Sequence, residues 1–307
     1  MPDSLLSLVT AELTAPADPR AAAMAGAIAA QYPHASRAVL FYGSCLREKN
    51  LDGLMLDFYL IVSDYRAAYG KSWLATANRL LPPNVFPFEH NGLIAKYAVL
   101  SEADFARLNS PAADNVSVWA RFAQPARLLW AADDLARQRA MAAVADATPT
   151  LLGMTMPMLV PGVDHGVSDI WKTGFTLTYG AELRAERKGR SLSIVDVDPD
   201  RYERFGQAAL AEIARRRGMG AEGQVPNVMS PAQAAACWRR LQRRGKFLSV
   251  IRLAKASFTY AGGIDYLAWK INRHAGTAIE IRPWQRRWPL IGALTLLPRL
   301  FRGGAIR

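Results

Sequence analysis

Cysteine and histidine are scarce in this 307-residue chain, which limits the disulfide bonds and metal sites that these residues can form. The two cysteines, Cys45 and Cys237, are too few for a disulfide framework and stand in no metal-binding spacing, which indicates a reducing compartment. The four scattered histidines show no zinc-type pattern either. The opening stretch carries Asp3, Glu12 and Asp18, so we expect neither a secretory leader nor a transit peptide there.

Acidic residues are scarce in the last quarter of the chain. Between Arg239 and Arg307, 15 lysines and arginines stand against only Asp265 and Glu280, a net charge of +13 against +12 for the whole protein. Such a basic region predicts an anionic partner, either a nucleic acid or a lipid surface.

The basic C-terminal segment, residues 282–307, also contains apolar and aromatic residues. Its six arginines accompany two tryptophans and a short apolar run, which is half the ~20 residues needed to span a bilayer. This composition is typical of a segment that lies in the membrane interface. Because no nucleic-acid-binding motif is present, we expect an anionic membrane surface as partner and no nucleic acid. The alternative is a terminal helix packed on the protein body.

Strand patterns and helical patterns alternate along the chain, which predicts an α/β (α+β) fold with a mixed sheet. A boundary near residue 145 would give a sheet domain over 1–145, a helical domain over 146–281 and the basic segment 282–307. Ser101 is expected to cap a helix. Two groups of aspartates resemble metal sites in their spacing but are expected to be helix caps and loop charges; they are Asp133 with Asp134, and Asp196 with Asp198 and Asp200. The predicted strands are two within 36–65 and one each over 93–101 and 125–131. The predicted helices lie in 1–35, 67–81, 102–108 and most of 132–187. An extended stretch from residue 191 is expected to lead into another helix, and a basic helical region is expected to follow up to about residue 275.

One group of residues carries candidate chemistry. A Gly43-Ser44 pair follows the first strand, and Asp57 stands thirteen residues after Ser44, near the start of the apolar strand "LMLDFYLIV". Glycine lets the backbone approach a triphosphate, and the neighbouring N–H and hydroxyl can bind phosphate oxygens. A strand carboxylate can hold Mg²⁺, which bridges to substrate phosphates. This arrangement is typical of nucleotidyltransferases, although Tyr59 stands where a second carboxylate is usual. The alternative is a hairpin turn followed by a solvated aspartate.

Several separate stretches match one family in order. They read "FYGSCL", "MLDFYLIVSDYRAAY", "NGLIAKYAVLS", "LTYGAELRAERKGRSLSIV" and "KASFTYAGGIDYLAWKI", and Trp119 keeps its spacing to "ARL" at 126–128. Together they resemble the mitochondrial-type CTP:phosphatidate cytidylyltransferases, the translocator assembly and maintenance family. The resemblance implies a nucleotidyltransferase domain followed by a winged-helix-like domain. It also implies the conversion of CTP and phosphatidate to CDP-diacylglycerol and pyrophosphate with Mg²⁺, in a bacterial relative of that family.

The resemblance assigns roles to individual residues. Gly43 and Ser44 would hold the CTP phosphates, with Tyr42 beside them, and Asp57 would be the principal Mg²⁺ ligand. Glu182 would supply the missing second carboxylate, and Lys96 would contact phosphate. The catalytic residues would then be Asp57, Glu182 and Lys96. The remaining basic positions, expected to bind CTP or the phosphatidate headgroup, are Arg184, Arg190 and Lys255.

Plainer alternatives remain for several of these residues. Lys96 could extend from a strand edge into solvent, and Glu182 and Arg190 could belong to a solvated helix end. Cys45 replaces the second glycine of the family's phosphate turn, and a family stretch that follows the position of Tyr69 has no counterpart here. The missing stretch leaves transfer to another lipid phosphate or a small alcohol open. The carboxylate missing at Tyr59 leaves open nucleotide or lipid binding without catalysis. The expected location is cytoplasmic and peripheral on the inner face of the cell membrane, or on the mitochondrial inner membrane in a eukaryote.

Overall fold

The protein has a mixed α/β architecture built on one five-stranded sheet with the strand order β3-β4-β2-β1-β5. The strands are β1 (Ser36–Tyr42), β2 (Met55–Val62), β3 (Asn84–His90), β4 (Leu93–Ser101) and β5 (Ala126–Ala131). The computed structural model describes residues 4–48, 50–70, 72–160, 162–182, 194–218, 229–259 and 280–287.

Helices surround the sheet and make up most of the rest of the described chain. The first six are α1 (Leu5–Thr14), α2 (Pro19–Ala29), α3 (Tyr65–Tyr69), α4 (Ser72–Leu80), α5 (Glu102–Asn109) and α6 (Trp119–Phe122). The later ones are α7 (Asp134–Ala145), α8 (Ala147–Thr155), α9 (Val167–Tyr179), α10 (Pro199–Gly218), α11 (Pro231–Thr259) and α12 (Pro283–Arg287). In the described part of the chain, none of these helices is both long enough and apolar enough to cross a bilayer.

The sheet is mixed because β2 and β4 run parallel while every other neighbouring pair is antiparallel. The four strands predicted from the sequence are confirmed. Strand β3 was not predicted, because "NVFPFEH" contains Pro87, which cannot donate a backbone hydrogen bond. The edge position of β3 explains why a proline is tolerated in this strand. Pro87 pairs with Lys96 of β4, and the other side of β3 has no strand neighbour among the described residues.

Successive side chains along a strand point to opposite faces of the sheet, which divides the core into two clusters, one on each face. One face carries Tyr59, Ile61 and Leu100, which pack with α1 and with helices α5 to α11. The other face carries Phe58 and Leu60, which pack with α2, α3 and α4. The first cluster continues from Leu5 to Leu241 without a break at residue 145, so the described core is shared across the predicted domain boundary. The boundary itself stays a prediction.

Helix ends follow the capping chemistry expected from the sequence. The side chains of Ser101, Asp133 and Asp198 accept hydrogen bonds from the backbone N–H groups of the third residues of α5, α7 and α10. The predicted cap at Ser101 is confirmed, and each of the two aspartate groups includes one helix cap.

Two sequence expectations about helices were wrong. Residues 67–81 form two helices instead of one, because Gly70 adopts a left-handed conformation with φ of 57° that ends α3. Residues 194–196, expected to be extended, are helical.

Helix α11 packs against the turn that follows α9, and this close approach depends on a glycine. A Cβ placed on Gly245 would lie 2.1 Å from the carbonyl oxygen of Ala181, a distance that real side chains do not tolerate. Ala181 precedes Glu182, so the same contact fixes one of the predicted site residues relative to α11.

We therefore expect Gly245→Ala to destabilise the protein by about 1–3 kcal/mol, the usual cost of inserting a methyl group into a packed contact. Denaturant unfolding measures this change. Gly153→Ala in α8 is the matched control, because a Cβ there meets only Ile213 Cδ1 at 3.8 Å, which is ordinary contact. Equal stability of the Gly245 and Gly153 variants would contradict the tight packing of α11.

Candidate functional site

Three polar side chains stand in one row across the middle of the sheet. Tyr42 at the end of β1 is in register with Asp57 on β2, and Asp57 is in register with Lys96 on β4. Lys96 Nζ lies 3.0 Å from Asp57 Oδ1. Because side chains alternate along a strand, Asp57 shares its face with Tyr59. The row therefore lies on the face of the sheet that packs with α1 and with helices α5 to α11, at the start of the two parallel strands.

The glycine before Ser44 touches this row. Gly43 has φ of 95° and ψ of −170°, a backbone region that is essentially restricted to glycine. A Cβ built on it would lie 3.4 Å from Asp57 Oδ2. Ser44 is exposed and begins a short 3₁₀ helix, Ser44–Arg47. The thirteen-residue spacing thus brings the Gly-Ser turn and the aspartate into contact, and the turn leads into a helix instead of a two-residue hairpin.

The two carboxylate oxygens of Asp57 have different surroundings. The side chain is 25% exposed; Oδ1 lies 3.0 Å from the Lys96 ammonium, and Oδ2 is on the side of Gly43. A Mg²⁺ ion commonly takes one or two protein carboxylates and completes its shell with water and substrate phosphates. Asp57 fits that mode of binding.

Two phenols that pack against each other at a tilt lie next to Asp57. The rings of Tyr42 and Tyr59 are 5.2 Å apart, and Phe122 packs against both. Burial raises the pKa of Tyr42 well above its usual range, and the nearby Asp57 carboxylate raises it further. Burial also raises the pKa of Tyr59. Both phenols are therefore neutral at physiological pH, and Tyr59 does not replace the carboxylate that the family pattern has two residues after Asp57.

Glu182 forms an ion pair beside the phenols. Arg121 Nη1 lies 3.1 Å from Glu182 Oε1 and also donates to the carbonyl oxygen of Ser117. Burial lowers the pKa of Arg121, but the Glu182 carboxylate and the phenols of Tyr59 and Tyr42 more than compensate, and the pKa ends well above its usual value. Arg121 is thus a permanent cation held next to the site.

Helix α11 brings two more basic side chains to the same region. Arg252 donates to the carbonyl oxygen of Pro82 at 3.0 Å and to Ser117 Oγ at 2.8 Å. Lys255 donates to the carbonyl oxygens of Leu81 and Pro83, the latter at 2.8 Å. The two side chains tie α11 to the loop between α4 and β3. Burial lowers the pKa of Arg252, and the nearby Arg121 also lowers it, against the opposing effects of Tyr59 and Glu182.

The environment of Lys255 gives the stability of the protein a defined pH dependence. Burial, followed by the charge of Arg252, lowers the pKa of Lys255 from 10.5 to about 7. A neutral amine still has two N–H donors for the two carbonyls. Between pH 7 and 10.5 the unfolded chain binds this proton and the folded chain does not, so this lysine makes the free energy of unfolding rise with pH across that interval.

The Lys255→Met variant lacks this titration. We expect the stability difference, wild type minus Lys255→Met, to grow as the pH increases from 7 towards 10.5. Denaturant unfolding at several pH values measures it, with the exposed Lys246→Met on the same helix as control. A difference that stays constant with pH would contradict the burial of the Lys255 ammonium.

The structure brings most of the predicted site residues together. Asp57 and Glu182 both act electrostatically on the Tyr59 phenol, although Glu182 pairs with Arg121, and its role as second metal ligand stays a prediction. Lys255 contacts backbone carbonyls and ties helix to loop. Arg184 and Arg190 lie outside the described residues, as do the basic segment's residues after 287.

Sequence reasoning did not select Arg121 or Arg252. One signal was present for each: both are charged residues inside largely apolar stretches, "VWARFA" and "SVIRLA". A buried charge needs a partner, so such positions indicate either an ion pair or a ligand. Trp119, part of the quoted resemblance, is a core residue whose ring lies 6.0 Å from that of Trp238.

Within the described residues, no cluster of three or more His, Cys, Asp or Glu side chains is arranged to hold a metal ion. Comparison with known protein families finds none that matches this chain, and comparison with curated proteins finds no significant match. We therefore infer the function from the geometry around Gly43 and Asp57 and from the motifs in the sequence.

Proposed function

We propose that the protein is a Mg²⁺-dependent nucleotidyltransferase that joins CTP and phosphatidate to give CDP-diacylglycerol and pyrophosphate at a membrane surface. The observation that carries the proposal is the contact between Gly43 and Asp57. A glycine-only backbone conformation lies beside a strand carboxylate whose Oδ2 faces the glycine and whose Oδ1 is paired with the Lys96 ammonium. In this proposal the sheet is a nucleotidyltransferase-like domain, and the later helices form a winged-helix-like domain.

The Gly43-Ser44 turn would receive the triphosphate. With no side chain on Gly43, the phosphates can approach the backbone, and the exposed Ser44 offers a hydroxyl and an N–H group. Asp57 would hold Mg²⁺, which when bound neutralises charge on the triphosphate. Lys96, in register with Asp57, would donate to a phosphate oxygen.

The charges near the phenols favour an anionic substrate. Lys96, Arg121 and Arg252 contribute three cations to this region, and Asp57 and Glu182 contribute two anions. A phosphate group of the acceptor would balance the excess positive charge. Its oxygen would attack the α-phosphorus of CTP, forming a new P–O bond as the bond to the pyrophosphate leaving group breaks. A phosphate monoester is already ionised at neutral pH, so this attack needs no general base.

One observation favours a second candidate, a protein that binds nucleotide or lipid without catalysis. The ion pair between Glu182 and Arg121 uses the only predicted second carboxylate within the described residues. A different acceptor, either another lipid phosphate or a small alcohol, stays open because a stretch of the family pattern after the position of Tyr69 has no counterpart in this chain.

The test is pyrophosphate release by the purified full chain. Each of the four ribonucleoside triphosphates is supplied with Mg²⁺, with and without phosphatidate dispersed in detergent. Release that requires both CTP and phosphatidate supports the proposal. Release with CTP and another acceptor supports the alternative acceptor, whereas nucleotide binding without release supports the non-catalytic function.

A further inference from the structure

Along residues 234–247, the two faces of α11 differ in burial and charge: the inward face is buried and uncharged, and the outward face is exposed and mostly basic. Ala234, Trp238, Leu241 and Gly245 are buried and, at 100° per residue, project within about 60° of one another. The opposite side of the helix carries Arg240, Arg243 and Phe247, which are all exposed and fall within a similarly narrow stripe.

The stripe is strongly basic. Arg239 and Lys246 are exposed beside it, and the 29 residues of α11 include no aspartate or glutamate. In the described part of the chain, Arg244 pairs with Asp114, but no ion pair involves Arg239, Arg240, Arg243 or Lys246. Four neighbouring cations on a single helix face repel one another, and an anionic surface would relieve that repulsion.

The apolar residue in the stripe indicates what kind of surface fits. Phe247 is 64% exposed, and it follows Arg243 by one helical turn. An exposed aromatic ring among cations on an amphipathic helix is typical of segments that lie on a bilayer, where the ring enters the acyl boundary and the cations contact headgroups. A nucleic-acid backbone would use the same cations but would offer no apolar layer to the ring.

We propose that this face of α11, formed by Arg239, Arg240, Arg243, Lys246 and Phe247, docks on an anionic lipid bilayer. It extends the proposed function by naming a membrane-contact surface within the described residues, separate from the basic segment 282–307. The inference rests on the proposed function only in that a lipid acceptor gives the docking a purpose. The arrangement of charge on α11 stands without it.

The test measures docking in the absence of any substrate. The full chain is floated with vesicles of phosphatidylcholine containing phosphatidylglycerol, and with vesicles of phosphatidylcholine alone. Because each cation near an anionic surface contributes about 1 kcal/mol, we expect Arg240→Gln/Arg243→Gln to weaken binding to the anionic vesicles about thirtyfold. Arg66→Gln/Arg204→Gln, which removes two exposed arginines from α3 and α10, lowers the net charge equally and should retain nearly full binding.

A second variant separates lipid insertion from charge. Phe247→Ser should weaken binding severalfold, and this loss should persist at high salt, because screening acts on the charges and not on apolar insertion. Equal vesicle binding by the two arginine double variants would overturn the proposal. So would an α11 variant that binds vesicles normally but no longer binds duplex DNA or RNA.

These outcomes are independent of the proposed reaction. Pyrophosphate release from detergent-dispersed phosphatidate should be unchanged in Arg240→Gln/Arg243→Gln. If wild-type protein releases pyrophosphate but α11 makes no difference to vesicle binding, the docking surface is wrong and the reaction stands. If vesicle binding depends on α11 but no pyrophosphate is released, the reaction is wrong and the docking surface stands.

Discussion

Asp57→Ala should abolish pyrophosphate release while leaving the protein folded. The carboxylate lies against Gly43 and would be the main protein ligand of Mg²⁺. Removing a metal ligand that stabilises charge in the reaction costs several kcal/mol, so we expect a loss of at least about a thousandfold. The fold should tolerate the change, since Asp57 is partly exposed and its pair with Lys96 contributes no more than about 1 kcal/mol to stability. Steady-state kinetics and thermal unfolding measure the two effects.

Two further variants test the interpretation of Asp57. Asp57→Asn keeps the shape of the side chain but loses its charge, and it should be as inactive as Asp57→Ala. Asp52→Ala removes an exposed carboxylate from the loop before β2 and should retain full activity. Activity of Asp57→Ala within about tenfold of wild type would exclude a catalytic role for this carboxylate.

Gly43→Val should eliminate nucleotide binding. Its Cβ would lie 3.4 Å from Asp57 Oδ2 and its methyl groups would extend into the space where the phosphates would approach the backbone. The substitution also places a β-branched residue at φ of 95°, which should destabilise the fold by about 1–3 kcal/mol. Isothermal calorimetry with CTP and Mg²⁺ measures binding, and thermal unfolding measures stability.

Gly92→Ala separates backbone strain from the loss of the phosphate site. Gly92 lies in the turn before β4 with φ of 77°, and a Cβ there meets no atom within 4 Å. This variant should lose some stability but should bind nucleotide normally. If Gly43→Val binds CTP as tightly as Gly92→Ala does, the Gly-Ser turn has only a structural role.

Strand patterns in the sequence were sufficient to predict β1, β2, β4 and β5, because short, largely apolar runs bounded by turn residues are strong local signals. The position of β3 could not be predicted, since its proline suits only an edge strand and the edge is defined by the whole sheet. The break in the helix at Gly70 depends on a left-handed residue that a helical pattern does not reveal.

Several residues of the candidate site were selected from the sequence, but the contacts between strands and helices that assemble the site were not. The resemblance selected both Asp57 and Lys96, but their contact arises from parallel pairing of β2 and β4, a register that local patterns do not specify. Arg121 and Arg252 meet at Ser117 from helices more than a hundred residues apart in the chain. The meeting of the two arginines depends on the close packing of α11 at Gly245, a long-range contact that no single stretch of sequence encodes.

The most direct test of the central claim follows the α-phosphate of CTP. The full chain is incubated with Mg²⁺, CTP labelled at the α-phosphorus and vesicles containing phosphatidate, and the lipid phase is then extracted and counted. We expect label to enter the lipid as CDP-diacylglycerol, in an amount equal to the pyrophosphate released, and we expect the Asp57→Asn variant to transfer no label. Label that stays entirely in the aqueous phase with wild-type protein, under conditions where CTP binds, would contradict the central claim.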